Sequence, residues 1–255
     1  MDEVSCFETL RAYQGRVFCL REHLGRLGES CRAIRGVMPF SETELAAWLQ
    51  ASLKESGTAD AILRCSLHWK GERNGTVAVL IVPFTSHAAE LYKKGVELVT
   101  GVPRRASFKA QDPQLKTSQF VSGVLAHLDQ GPRRPHEIIF FGQAGTVAEG
   151  TVSNLFLVKQ KTLLTPSVSS GILKGVTRGI ILELTRRRGL PLTETFLTRH
   201  DLYNADECFI TNTSSEVLPV VSVDARVIGA GVPGPMTRGL AEDFKRRVRE
   251  ALRKK

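Results

Sequence analysis

Glu149 opens the stretch E-G-T-V-S-N-L-F-L-V (149–158), so a carboxylate stands at the mouth of a strand-like apolar run. A charge in that place either caps the strand's start or holds a cation. Upstream, Lys116 follows Pro113-Gln114-Leu115 and leads into the apolar positions Phe120, Val121, Val124 and Leu125. A lysine at such a junction either flanks a core helix or is partly desolvated. Desolvation lowers an ammonium pKa and frees the amine as a nucleophile. Downstream, Gly175-Val176-Thr177 opens a helix. The first amides of a helix suit a phosphate, and a glycine there permits close approach. Thr177 adds a hydroxyl, and Thr213 in T-N-T-S-S-E (211–216) adds another. An amine, an acid and an anion seat are the parts that Schiff-base chemistry on a phosphorylated aldehyde uses.

Other chemistries find less support. G-A-G-V-P-G (229–234) spells a dinucleotide-binding fingerprint, but Pro233 interrupts it and the chain is nearly over, so it reads as a turn. No Walker A, HExxH or GxSxG motif occurs. The histidines are isolated from one another and no metal-ligand spacing is present, so no metal is expected. The five cysteines (Cys6, Cys19, Cys31, Cys65, Cys208) are scattered, which favours free thiols and a cytoplasmic location. No apolar run reaches the roughly 18 residues of a membrane span, and the acidic M-D-E-V-S-C-F start is unlike a signal peptide. The net charge of +9 raises the question of nucleic acid. Its concentrated runs, T-R-R-R-G at 185–189 and K-R-R-V-R-E-A-L-R-K-K at 245–255, lack interleaved aromatics and fit helix C-termini. Neither a nucleic acid nor a membrane is expected as a partner.

The elements that must position these residues follow from periodicity and turn chemistry. F-E-T-L-R-A-Y (7–13) and R-V-F-C-L (16–20) read as strands across a Gln14-Gly15 hairpin turn. A helix follows from about Glu22 to Arg35, and Ser41-Glu42-Thr43-Glu44 is a capping box opening a helix to about Glu55. Strands are expected at 61–69 and 76–84. The segment 85–95 reads as a connection, and 96–102 starts a second block. That block has a helix over about Ser118 to Asp129, short strands at 137–141, 146–150, 153–158 and 162–166, and a helix from about Gly175 to Arg188. Two further strands, at 207–212 and 218–224, precede a helix after Pro235.

In order and spacing, Lys116, E-G-T-V-S-N-L-F, L-L-T-P (163–166), L-K-G-V-T-R (173–178) and T-N-T-S-S-E-V-L-P-V resemble the class IV aminotransferases, pyridoxal-phosphate enzymes of fold type IV. That family includes branched-chain and D-amino-acid aminotransferases and aminodeoxychorismate lyase. The resemblance implies an α+β fold of two domains. A small N-terminal α/β domain, 1–86, is expected to be shortened at its start, since relatives carry a further strand ahead of C-F-E-T-L. Residues 87–95 connect it to a large domain, 96–255, with a β-barrel-like core flanked by helices. Lys116 is implied as the Schiff-base lysine and general base, with pyridoxal 5′-phosphate as the cofactor. Glu149 pairs with the pyridine nitrogen, where a unit-charge pair at about 4 Å and an effective dielectric near 20 gains about 4 kcal/mol before desolvation. Leu173 packs on the ring, while Gly175, Val176, Thr177, Thr213 and Arg26 of H-L-G-R-L hold the phosphate. Asn154 is implied to be structural. Candidates for the substrate side are Phe7, Arg64, Arg73, Arg104 and Ser214. The implied partners are amino and keto acids and a second copy in a homodimer.

Three functions are compatible with these residues. The first is an aminotransferase of branched-chain or D-amino-acid type. The second is aminodeoxychorismate lyase, which releases pyruvate and p-aminobenzoate. The third is a non-catalytic basic binding protein on the same scaffold. The positions that sort the family by substrate are ambiguous, since Val121 stands where branched-chain enzymes often carry a tyrosine.

Overall fold

Two glycine-permissive turns and a buried alternation shape the N-terminal unit. In this computed structural model, which describes residues 4–69, 75–104, 116, 135–142 and 144–253, Gln14 and Gly15 both adopt positive φ, 49° and 75°. That is the type I′ geometry that matches strand twist, and it joins β1 (Val4–Tyr13) to β2 (Arg16–Val17). The second strand is shorter than expected. Cys19, at φ 51°, turns the chain into α1 (Leu20–Ala33). The capping box forms as read: Ser41 Oγ accepts from the Glu44 N–H and the Glu44 carboxylate accepts from the Ser41 N–H, opening α2 (Glu42–Glu55). β3 (Ala61–Trp69) and β4 (Gly75–Pro83) complete an antiparallel sheet of order β2-β1-β3-β4. Every second residue of β3 is buried, as a half-covered strand requires. Leu63, Cys65 and Leu67 meet Leu24 and Leu27 of α1 and Leu45, Leu49 and Leu53 of α2 in one core.

The described residues form two compact units, one made of 4–69, 75–85, 116 and 248–253 and the other of the rest. In the second, the stretch expected as a connection holds a short helix, α3 (Ala89–Lys94), before β5 (Val96–Arg104). The helix expected over Ser118–Asp129 lies outside the described residues, as does Arg73. Then come β6 (Glu137–Phe141), β7 (Val147–Gly150), β8 (Asn154–Lys159) and β9 (Thr162–Pro166), followed by α4 (Val176–Arg187). β10 (Leu192–Thr195) and α5 (Arg199–Tyr203) were not anticipated from the sequence. β11 (Glu207–Asn212), β12 (Glu216–Val223), β13 (Arg226–Val227) and α6 (Pro235–Arg253) end the chain.

The strand order is β10-β9-β8-β11-β12-β5-β6-β7, with β13 on β12. The Val147 N–H donates to Leu197 O at 2.7 Å, so the strand at one end of this order bridges to a residue just beyond the strand at the other. This closure is the barrel-like core that was expected. Its interior is filled from both sides of the sequence, by Leu98, Ile139, Leu155, Leu157, Ile210 and Leu218 among others. G-A-G-V-P-G is a turn, with Gly229 and Gly231 at positive φ. The basic run at the C-terminal end of α4 is partly neutralised, since Arg187 pairs with Glu183, Arg186 with Glu194, and Arg188 with Asp243.

β8 and β11 carry the centre of this sheet. Phe156 and Phe209 are direct cross-strand partners, fully buried, with ring centroids 4.9 Å apart and planes within 6°. Replacing Phe209→Ala should lower stability by about 3–5 kcal/mol in urea unfolding. A loss below about 1 kcal/mol would show that this pair is not a support of the sheet.

Candidate active site

Glu149 lies near the end of β7, 3% exposed, and the chain leaves that strand through Gly150. A buried carboxylate is costly unless it is hydrogen-bonded. Two donors meet it on one oxygen: Asn154 Nδ2 at 2.8 Å and the Leu173 N–H at 3.0 Å, both to Oε2. Asn154 Nδ2 also donates to Leu173 O at 2.9 Å. One asparagine, the first residue of β8, therefore ties the acid to the segment that leads into α4. Gly175 is the N-cap of that helix, and no side chain caps it among the described residues. A Cβ on Gly175 would overlap Asn154 Oδ1. The glycine expected for close approach of an anion is thus already required by the asparagine. Thr177 is buried and Val176 half-buried in the first turn. Arg178, next along, is buried and donates to Pro166 O at 3.0 Å and to Glu194 at 2.7 Å, which fixes α4 against β9 and β10.

The antiparallel pairing of Thr211 with Asn154 puts the end of β11 beside the start of β8. The turn 213–215 is therefore at the same end of the sheet as the turn 151–153. Asn212 Oδ1 organises it by accepting from the Ser214 N–H, the Ser214 hydroxyl and the Ser215 N–H, at 2.6–3.1 Å. Thr213 and Ser214 are half-buried there. Arg104 is the last residue of β5, and its side chain lies outside the described atoms.

In the first unit, alternation along β1 sends neighbours to opposite faces. Phe7, 2% exposed, lies under two cations: the Arg64 guanidinium 3.7 Å from its ring centroid and Lys116 Nζ at 5.2 Å. The Phe7 N–H donates to Lys116 O at 2.9 Å, and Ser30 Oγ accepts from the Lys116 N–H at 3.4 Å. The lysine's backbone is therefore anchored to both β1 and α1. Glu8, fully buried, faces the other way. Its oxygens accept from Arg26 Nε at 2.7 Å, Arg26 Nη2 at 2.8 Å and His23 Nδ1 at 2.8 Å. Arg26 is thus neither solvated nor positioned by its own helix alone. Glu8 takes two of the five N–H donors that a guanidinium owns.

The structure thus brings Glu149, Leu173 and Gly175 together through Asn154, and Phe7, Arg64 and Lys116 around one ring. Sequence reasoning missed Glu8 and His23. Their signal was a lone acid inside the alternating strand C-F-E-T-L, with histidine and arginine three residues apart on one helix face.

Class IV aminotransferases, as a family model, match residues 5–223 of the sequence. The chain belongs to this family. It is similar to the D-alanine aminotransferase of Bacillus licheniformis, 32% identical over 241 residues that cover 92% of this chain and 84% of that protein. It is also similar to the branched-chain-amino-acid aminotransferase of Pseudomonas aeruginosa, 31% identical over 252 residues covering 93% and 82% of the two chains. Among solved structures, a T.th. branched-chain amino acid aminotransferase with pyridoxamine 5′-phosphate superposes with a TM-score of 0.90 at 28% identity, covering 96% of this chain and 85% of that one. The chain is an aminotransferase of fold type IV.

In this class IV aminotransferase the Glu8 cluster couples stability to pH. Burial pushes the Glu8 carboxyl up, but the Arg26 guanidinium beside it and hydrogen bonds from His23 and Arg26 outweigh burial and hold it at about 2. Burial pushes His23 down from 6.5, so it is neutral at pH 7 and donates Nδ1–H to Glu8. Both folded-state values lie below the unfolded ones. Stability is therefore present above the unfolded values and is lost as pH falls, first below 6.5 through His23 and then from 4.5 towards 2 through Glu8. The Glu8 part amounts to about 3 kcal/mol. Glu8→Gln should flatten the 4.5-to-2 limb of a stability–pH curve and lower stability at pH 7 by about 3–5 kcal/mol, because Arg26 loses its buried partner. An unchanged acid limb in that variant would refute the assignment.

Proposed function

We propose that this aminotransferase uses pyridoxal 5′-phosphate to move an amino group between an amino acid, of branched-chain or D-amino-acid type, and a 2-keto acid. The observation that carries the reading is the joint held by Asn154. It ties a buried acid, Glu149, to the mouth of a helix whose first turn has no side-chain cap among the described residues. An acid for a ring nitrogen and a seat for a phosphate are the two fixed ends such a cofactor needs, and here one side chain links them.

Bound pyridoxal phosphate supplies an electron-withdrawing ring that stabilises negative charge at a substrate's α-carbon. Lys116 would hold the cofactor through Nζ, and the same amine is placed in this reading to take and return a proton at a substrate's α-carbon. Glu149 would favour a protonated ring nitrogen, and Leu173 would pack on the ring. The amides of Val176 and Thr177, the hydroxyls of Thr177 and Thr213 and the Arg26 guanidinium would take the phosphate, at a helix mouth where Gly175 makes room for the Asn154 side chain. Arg64 and Arg104 are the candidates for a substrate carboxylate, with Phe7 and Ser214 shaping the pocket. The Arg64 guanidinium lies over the Phe7 ring, so the ring restrains its fork before a carboxylate arrives.

On the family resemblance we also infer a homodimer, which a monomeric mass in light scattering would refute. No helix among the described residues is long and apolar enough to cross a membrane. The five cysteines are free thiols, which suits the reducing cytoplasm we infer as its location.

D-Alanine, leucine and aminodeoxychorismate, each offered with and without 2-oxoglutarate, test the reaction and the substrate class together. Keto-acid product that requires 2-oxoglutarate is expected with one of the first two donors. Pyruvate from aminodeoxychorismate without any acceptor would make the enzyme a lyase. Loading with pyridoxal phosphate, borohydride reduction and peptide mapping should label Lys116, and Lys116→Ala should lower turnover by about 10²–10⁴-fold or more. A label on any other lysine would overturn the assignment.

A further inference from the structure

Glu137 is a second buried carboxylate, 3% exposed, at the start of β6. Its partners all belong to the turn between Glu149-Gly150 and Asn154. Oε1 accepts from the Val152 N–H at 2.6 Å and from Thr151 Oγ1 at 3.1 Å, and Oε2 accepts from Ser153 Oγ at 2.8 Å. The turn closes on itself through the Gly150 N–H and Ser153 O at 2.8 Å. The tip of this turn is not held by packing of its apolar side chain, since Val152 is 60% exposed. The carboxylate reaches it from across the β6–β7 pairing, where Ile139 is opposite Gly150. A Cβ on Gly150 would collide with Glu137 Oε1 and come within 2.5 Å of Ser153 Oγ, so the glycine is what lets the carboxylate in. Burial pushes the Glu137 carboxyl up, and hydrogen bonds from Val152, Thr151 and Ser153 oppose that rise.

We infer that Glu137 is a positioning residue for the reaction: by gripping 151–153 it sets the end of β7 and the start of β8, and thereby the aim of Glu149 and Asn154. The inference rests on the reading of Glu149 as the acid for the ring nitrogen. The geometry has a chemical corollary. A glutamine can replace the carboxylate, since its oxygen accepts from Val152 and Thr151 while the Ser153 hydroxyl reverses to accept from its amide. An alanine cannot, and it leaves the donors of the turn without their acceptor.

The test compares Glu137→Ala, Glu137→Gln, Gly150→Ala and, as a control, Glu149→Gln, all in the full chain. The probe is pyridoxal 5′-phosphate. The readouts are its equilibrium affinity for the apoprotein by fluorescence quenching, the visible absorption of the loaded protein against pH, and a circular-dichroism melt. Glu137→Ala and Gly150→Ala should weaken pyridoxal phosphate by about 10–100-fold, the effect typical of residues that orient a ligand-holding group. They should also move the midpoint of the absorption titration in the direction in which Glu149→Gln moves it, and Glu137→Gln should restore both. If Glu137→Ala melts before measurement, Gly150→Ala displaces the same turn with the carboxylate still in place. Wild-type affinity and titration in folded Glu137→Ala or Gly150→Ala, beside an altered Glu149→Gln, would leave Glu137 a brace of the fold and overturn the inference. A wild-type titration in Glu149→Gln would remove the Glu149 assignment itself, and this inference with it.

Discussion

A single carboxylate oxygen, Glu149 Oε2, is where three separate pieces of the second unit meet. It closes β7, receives the side chain of the first residue of β8, and receives the backbone of Leu173 on the way into α4. A carboxylate in that setting must be matched by donors or it is expelled or neutralised. The match comes from an amide side chain and a main-chain N–H, neither of which carries charge. These two donors hold one oxygen of the carboxylate and carry no charge of their own. A lysine or arginine in place of Asn154 would have spent the carboxylate's charge. The residue type at 154 is as much part of the acid's chemistry as the acid.

The first unit solves the opposite problem. There the charge pair is direct: Glu8 is buried, Arg26 is half-buried, and the carboxylate is matched by a bidentate guanidinium and a neutral histidine. Such a pair contributes little net stability over apolar residues of the same shape, but breaking one half is expensive. What it contributes is placement. An arginine on an amphipathic helix has several rotamers and a strong preference for water; one gripped along Nε and one Nη has a single orientation. The two carboxylates thus differ in kind. One orients a positive group and is neutralised by it, and the other is itself oriented by donors that carry no charge.

Local signals were legible wherever one short segment contains its own reason. The Ser41–Glu44 capping box, the Gln14-Gly15 turn and the alternating β3 all form where the sequence puts them. The carboxylate at the mouth of the E-G-T-V-S-N strand was readable for the same reason, as was the glycine that opens α4. Elements that depend on a distant neighbour were not. β10 is mostly polar and partly exposed, and it is a strand only because β9 pairs with it in parallel. The short α5 carried a readable signal that went unused, Thr198 and Asp201 as a capping box. Glu8 and Glu137 were missed because their donors lie some 15 residues away in sequence, and periodicity says that a strand position is buried without saying what meets it there. The close fit of Gly175 to Asn154 is a contact between residues far apart in the chain, which a motif can contain but cannot explain.

Strand alternation is what allows one short segment to serve two sets of partners. Phe7 and Glu8 are consecutive, yet one ring lies under Arg64 and Lys116 while the next side chain is buried against Arg26 and His23. A slip of one residue between β1 and β3 would exchange the faces, placing the carboxylate among the wrong cations and the aromatic ring against the charged pair. The register is protected by the residues flanking these two. Cys6, Leu10 and Ala12 share the core with α1 and α2, so any odd slip would take all three out of that core and turn their neighbours into it. The apolar half of β1 therefore does more than stabilise the unit. It selects which of two adjacent side chains faces the lysine, and so places an aromatic ring rather than the Glu8 carboxylate beside Lys116 Nζ.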